Sequence, residues 1–251
     1  MSEFLATAHR AADAAAAYLL QHFGGIKKVA QKESHHSIVT AHDVEAERIL
    51  IATIRADFPD HGIYSEECGF INPGASHLWV LDPLDGSSYY SRGIGTFAVS
   101  IALVHQNEIV MGMIHVPKLN QLFYAESGSG AFCNQRPISV SAHTELQDCI
   151  GSFGHRYLRL PQYEPLSKHL LQSVRSIRGG GSCAMEMALL ASGNTDLVVT
   201  ANQSFWDYAA GKIIVEEAGG KVVDLHGRNV EVKRDLEAKF DLVASNGLIL
   251  I

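Results

Sequence analysis

Asp82 and Asp85 lie three residues apart in the segment Trp79-Val80-Leu81-Asp82-Pro83-Leu84-Asp85-Gly86-Ser87-Ser88. The apolar residues 78–81 read as a buried strand that ends in these two carboxylates. Pro83 between them has a fixed φ and no N–H to donate, so the backbone is expected to turn there. Gly86 and the serines after it supply small residues and free N–H groups, a turn suited to opening a helix and cradling an anion. Carboxylates for a hard cation beside donors for a phosphate point to metal-assisted phosphoryl chemistry. Taken alone, Asp82 and Asp85 read equally well as an Asx-turn and a helix N-cap.

Three further blocks accompany this one. Tyr64-Ser65-Glu66-Glu67 closes a short segment with paired acids, Ile38-Val39-Thr40-Ala41-His42-Asp43 puts an acid just before a helical pattern, and Ser204-Phe205-Trp206-Asp207-Tyr208 puts one at another helix start. In this order the blocks resemble the inositol monophosphatase superfamily of magnesium-dependent, lithium-sensitive phosphatases, which includes fructose-1,6-bisphosphatases and nucleotide 3′-phosphatases. The resemblance runs from Lys32 to Gly220, with a similar ending in Ala244-Ser245-Asn246.

That resemblance implies a role for each matching residue. Asp82 looks like the carboxylate shared by two metals, Glu66 and the Leu84 carbonyl like further ligands of the first, and Asp85 and Asp207 like ligands of the second. Glu67 matches a less directly bound acid. Asp43 corresponds to the acid that positions the attacking water with the hydroxyl of Ser87, a serine where many members have threonine; helix N-cap is its plainer reading. Gly86 and Ser87 are expected to hold phosphate through their N–H groups. The resemblance further implies two or three Mg²⁺ ions, a small phosphorylated substrate and a homodimer. An acid that binds substrate hydroxyls in inositol-preferring members falls at Thr200, so inositol phosphate, sugar phosphate or a similar monoester all stay open. Fructose-1,6-bisphosphatase or nucleotide 3′-phosphatase activity, or a mainly protein-binding regulatory role, are the alternatives.

These residues need elements to position them. Phe4, Ala8, Ala11, Ala12, Ala15, Leu19 and Phe23 recur at helical spacing, and Gly24-Gly25 is expected to end that helix. Residues 27–40 read as a hairpin, and a second helix is predicted from Asp43 through Ala46, Leu50 and Ile54. Residues 97–105 and 109–116 read as paired strands, with more strand at 122–125 and 130–132. Beyond Ile138, strands are predicted at 150–153, 195–200 and 221–225, and helices at 166–174, 183–191 and 207–218. Alternating elements of this kind form a layered α/β sandwich, and the resemblance specifies α-β-α-β-α. Residues 1–137 form one half with most of the metal ligands and residues 138–251 the other, packed as one unit.

Bulk properties agree. The 251 residues are 47% hydrophobic and 19% charged, enough for a substantial core. A formal net charge of −7 argues against nucleic acid as a partner. Cys68, Cys133, Cys149 and Cys183 form no Cys-x-x-Cys pair, consistent with reduced thiols and a cytoplasmic location. No basic n-region precedes the first apolar stretch and no run of about 18 apolar residues occurs, so neither a signal peptide nor a membrane span is expected. Other candidates have two readings each. Lys32 is an active-site lysine by resemblance or a surface one. His35 and His36 are loop residues or ligands for a softer metal. Gly179-Gly180-Gly181-Ser182 approaches the substrate through its N–H groups or is a flexible connection. Asn202 and Gln203 are candidate hydroxyl binders. Arg156, Arg159, Arg175 and Arg178 meet a second phosphate or serve solubility, and Trp206 is expected to be a core aromatic that orients Asp207.

Overall fold

A computed structural model describes residues 2–24, 30–31, 38–39, 41–154, 156–232 and 236–249. Helix α1 (Glu3–His22) is followed by the short antiparallel pair β1 (Ala30–Gln31) and β2 (Ile38–Val39), then by α2 (Ala41–Asp57). Next come β3 (Gly62–Ser65), β4 (Gly69–Ile71), β5 (His77–Asp85), the single-turn helix α3 (Ser87–Tyr90), β6 (Ala98–His105), β7 (Glu108–Val116), β8 (Gln121–Glu126), β9 (Ala131–Cys133) and β10 (Arg136–Ile138). Strands β3 to β10 make one eight-stranded sheet, order β10-β9-β8-β7-β6-β5-β3-β4. The second half contains β11 (Ile150–Phe153), α4 (Glu164–Ser173), β12 (Ser176–Arg178), α5 (Cys183–Ala191), β13 (Leu197–Gln203), α6 (Phe205–Glu217), β14 (Lys221–Asp224) and β15 (Phe240–Ser245). Its five strands are ordered β12-β11-β13-β15-β14.

Side-chain parity fixes the layers. Along β6, Val99, Ile101 and Leu103 pack with Ala8, Ala11, Ala15, Leu19, Leu50 and Ile54 of α1 and α2. Ala98, Ala102 and Val104 point the other way, onto α5 and α6 with Ala188, Tyr208 and Ile214. Burial on both faces is why these strands read as continuous apolar runs. On the second sheet, Val198 joins the α5–α6 layer while Leu197, Val199 and Ala201 pack against Leu170 of α4. The order α1/α2, sheet, α5/α6, sheet, α4 is the α-β-α-β-α sandwich expected.

Two local expectations change. Strand β5 does not turn away at Pro83 but stays paired with β6 as far as Asp85. Asp82 pairs with Ser100 and Asp85 with Ala98, so Pro83 and Leu84 together oppose Val99. This is a β-bulge, which tolerates a residue that cannot donate. The second correction is that the predicted strand map lacks β4, β10, β12 and β15, of which the first three are three-residue strands at or near sheet edges. The loop carrying Lys32, His35 and His36 lies outside the described residues.

Candidate active site

Strands β3 and β5 run parallel, with Ser65 opposite Leu81, so their carboxyl ends emerge side by side. The Glu66 N–H donates to the Leu81 carbonyl at 3.2 Å, bringing Glu66 beside Asp82. Glu47 on α2 accepts from the N–H groups of Glu67 and Cys68, each at 3.1 Å, and so fixes the turn that carries Glu66. Glu47 was not anticipated; its only signal is an acid on the same helix face as Asp43. The bulge turns the Leu84 N–H inward, where Asp82 Oδ1 accepts it at 3.0 Å.

Asp85 reaches across to the other half. Its Oδ2 accepts from the Ala184 N–H at 2.6 Å and from Ser182 Oγ at 2.7 Å. Ser182 is the N-cap of α5 and accepts in turn from the Met185 N–H at 3.1 Å. Asp85 therefore places a carboxylate oxygen at the N-terminus of α5, a position that favours its ionised form. Asp207 stands in the first turn of α6, where its Oδ2 accepts the Ser204 N–H at 2.7 Å. Capping and chemistry, open as alternatives in the sequence, are thus not exclusive for Asp85.

Ser87 Oγ lies 2.5 Å from Asp43 Oδ1 and 2.8 Å from the Leu84 carbonyl. One hydroxyl proton serves both, and the charged acceptor makes the stronger bond. Asp43 is buried in the first turn of α2, which begins at Ala41. It is therefore not the N-cap of that helix. Gly86 adopts φ +97°, and a Cβ there would lie 2.8 Å from the Thr96 carbonyl, so a side chain is excluded on both counts. Helix α3 closes as Tyr89 and Tyr90 N–H groups donate to the Gly86 carbonyl. It is only four residues long, so its macrodipole is small.

One cleft of about 330 Å³ is lined by Glu66, Asp82, Leu84, Asp85, Gly86, Ser87, Ser182, Thr200 and Asp207. Asp43 stands behind Ser87 rather than on the cleft wall. Burial, then the nearby charges of Glu66, Asp85 and Asp207, raise the pKa of Asp82 well above the usual carboxylate range. Burial and Asp207 push Asp85 up to about 8, against the pull of its bonds from Ser182 and Ala184. Burial and Glu66 push Asp207 up to about 7, partly offset by the Ser204 N–H, Lys239 and Arg156. Such a set of crowded, all-oxygen donors fits a hard divalent cation, whose charge removes the repulsion. Among the described residues no three His, Cys, Asp or Glu side chains already surround one point. The acids share a cleft without closing a cage.

Other sequence candidates divide clearly. Arg156 and Gln203 line the cleft, as do Gly179, Gly180 and Gly181, whereas Glu67, Arg159, Arg175 and Asn202 do not. Trp206 packs beside Tyr64 with ring centroids 5.0 Å apart, and Lys239 Nζ lies 5.4 Å from its centroid on the other contact. It is a packing residue next to Asp207. Cys183 and Glu186 also line the cleft and were not anticipated. Glu186 is a lone acid in the otherwise apolar run Ala184–Ala191, the one signal that marks it. No helix among the described residues is long and apolar enough to cross a membrane.

The fold and the sequence have counterparts. The chain is similar to a "Fructose-1,6-bisphosphatase/inositol-1-monophosphatase" of Thermotoga maritima, 38% identical over 231 residues and covering 92% of this chain and 86% of the relative. A Nus factor SuhB of Xylella fastidiosa is 35% identical over 223 residues, covering 87% of this chain and 80% of the relative. A solved Thermotoga maritima IMPase superposes with a TM-score of 0.89 at 35% identity, covering 98% of this chain and 93% of that one. The family model describing the inositol monophosphatase family matches residues 1–249, and to that family the chain belongs.

Proposed function

We propose that this phosphatase hydrolyses a small phosphate monoester, an inositol phosphate, sugar phosphate or similar ester, with the help of two or three Mg²⁺ ions. The observation that carries the reading is the convergence of Glu66, Asp82, Asp85 and Asp207 on one cleft beside the Asp43–Ser87 pair. Those four carboxylates and the Leu84 carbonyl would hold the metal, leaving room for the waters that magnesium retains. Bound there, divalent ions supply the positive charge that a phosphate dianion needs and acidify water.

The chain's own residues do the rest. Asp43 accepts the hydrogen bond of the Ser87 hydroxyl, which leaves the Ser87 oxygen lone pairs free to accept a hydrogen bond from the attacking water and fix its direction of approach. The N–H groups of Gly86 and Ser87, at the open end of α3, hold the phosphate and keep its phosphorus in line with that water. Ser182 keeps Asp85 oriented, so that Oδ1 stays available to the cleft.

Hydrolysis of a panel of inositol, sugar and nucleotide monophosphates tests the proposal. Activity is expected to depend strictly on added Mg²⁺ and to be inhibited by lithium; full activity after exhaustive chelation overturns the metal reading. Within that panel myo-inositol 1-phosphate is expected to be a mediocre substrate. Thr200 offers no carboxylate, and its Oγ1 already accepts from Gln203 Nε2 at 2.8 Å. A charge-assisted hydrogen bond is worth about 1.5–3 kcal/mol, so Thr200→Glu should shift the preference toward inositol phosphate. The argument from Thr200 fails if the native enzyme already prefers inositol 1-phosphate to every sugar phosphate. The Nus factor relative supports a second reading, in which a protein-binding role accompanies the enzyme. A cleft variant that abolishes turnover but keeps such binding separates the two roles.

A further inference from the structure

Glu186 stands apart from the acids already given a role. It lines the same cleft as Glu66, Asp82, Asp85 and Asp207, yet it is 4% exposed and projects from α5 amid apolar neighbours. A buried carboxylate needs compensation. Arg178 on β12 supplies it, with Nε 3.2 and 3.1 Å from the two carboxylate oxygens. A carboxylate has about four acceptor positions, and one N–H leaves most of them open. The backbone beside it is shaped to suit: a Cβ on residue 180 would lie 1.9 Å from Glu186 Oε1. Only glycine at that position lets the carboxylate sit against the loop that forms the cleft wall. On the wall that carries Thr200, Gln203 Nε2 is already engaged by Thr200 Oγ1 at 2.8 Å and the Ala201 carbonyl at 3.0 Å.

We infer that Glu186 is a specificity-determining residue that accepts a hydrogen bond from a hydroxyl of the leaving group. Arg178 neutralises its charge, so it selects a neutral donor and not a second cation. The substrates it favours are phosphate esters of polyols or sugars over those of amino alcohols or simple phenols. This deepens the proposed phosphatase reading and rests on it.

The test compares kcat/KM of the full chain with Mg²⁺ for a set of polyol and sugar phosphates, their single-deoxy analogues, and phenyl phosphate. In the wild type, removal of one particular hydroxyl is expected to lower kcat/KM about 10- to 100-fold, the size of one hydrogen bond to a charged group. Glu186→Gln should narrow that gap to a few-fold, because a neutral amide oxygen accepts the same hydrogen bond more weakly than a carboxylate. Gly180→Ala, which drives a methyl group onto Oε1, should close it from the backbone side and serves if Glu186→Gln does not fold. The inference is overturned if no hydroxyl matters by more than about 3-fold, a margin smaller than any such bond. It is equally overturned if the gap persists in full in both variants, or if Glu186→Gln lowers polyol and phenyl ester hydrolysis in equal proportion. Failure of the wild type to hydrolyse any ester, phenyl phosphate included, removes the phosphatase reading itself.

Discussion

Asp85→Asn is expected to lower turnover about 10³-fold or more, the scale seen when one electrostatic contributor at a reacting centre is lost. The amide oxygen can still accept from the Ala184 N–H and Ser182, the two bonds that Asp85 Oδ2 makes. The fold should therefore survive while a cation ligand is lost. Steady-state kinetics at saturating Mg²⁺, together with thermal melting, check both halves. Turnover within about 10-fold of wild type would remove Asp85 from the metal site, since even one such contributor is worth more.

The same substitution has a second readout in the cation-free protein. Burial and the neighbouring carboxylates push Asp85 up to about 8 and Asp207 up to about 7, both above the ordinary carboxylate value of 3.8. The folded state thus binds more protons than the unfolded chain between about pH 4 and pH 8. Stability from these groups is fully present below the unfolded pKa and is lost as pH rises through the folded values. Without metal, the protein should melt at a lower temperature at pH 8 than at pH 5. Asp85→Asn should remove part of that slope, and Mg²⁺ at pH 8 should restore stability by mass action. A pH-independent melting temperature in chelator would show that the acids do not repel as described.

Ser87→Ala is expected to depress turnover about 10²-fold or more through the chemical step, as for positioned proton transfer. Asp43→Asn should behave similarly, because Asp43 Oδ1 lies 2.5 Å from Ser87 Oγ and reaches the water through it. Both residues act on one water, so the double variant should be scarcely worse than either single one. KM should change little, which separates lost chemistry from lost binding. Additive losses would show that the two residues do not work as a unit.

Much of this arrangement was readable from residue order. Apolar periodicity located the five helices longer than one turn, α1, α2, α4, α5 and α6, and gave the start of each within about two residues. The carboxylates were marked by their place at element ends and by the family resemblance. Other features depend on contacts that no local pattern encodes. The turn expected at Pro83 proved to be a bulge because β6 continues to pair with β5 beyond it. Strands of three residues such as β4, β10 and β12 bury too little to show a period. Asp85 and Ser182 are 97 residues apart, so their bond, and with it the share of Asp85 in capping α5, belongs to tertiary packing alone. Glu47 and Glu186 were hidden for the same reason: each has a meaning only through the distant loop it holds or faces.

The bond from Asp85 to the start of α5 also bears on how such a chain can drift. A gene copy released from catalysis would remain under selection for folding, and Asp85 serves the fold by capping a helix from the other half of the molecule. Asp207 does comparable service at the start of α6. Glu66 lies in the turn after β3, where its backbone N–H fixes the chain on the Leu81 carbonyl and would do so whatever the side chain, so it is the position where loss of activity should first leave a mark. In descendants of this chain, an intact Asp-Pro-Leu-Asp-Gly-Ser segment would attest to an intact architecture, while the residue at position 66 would attest to a working enzyme.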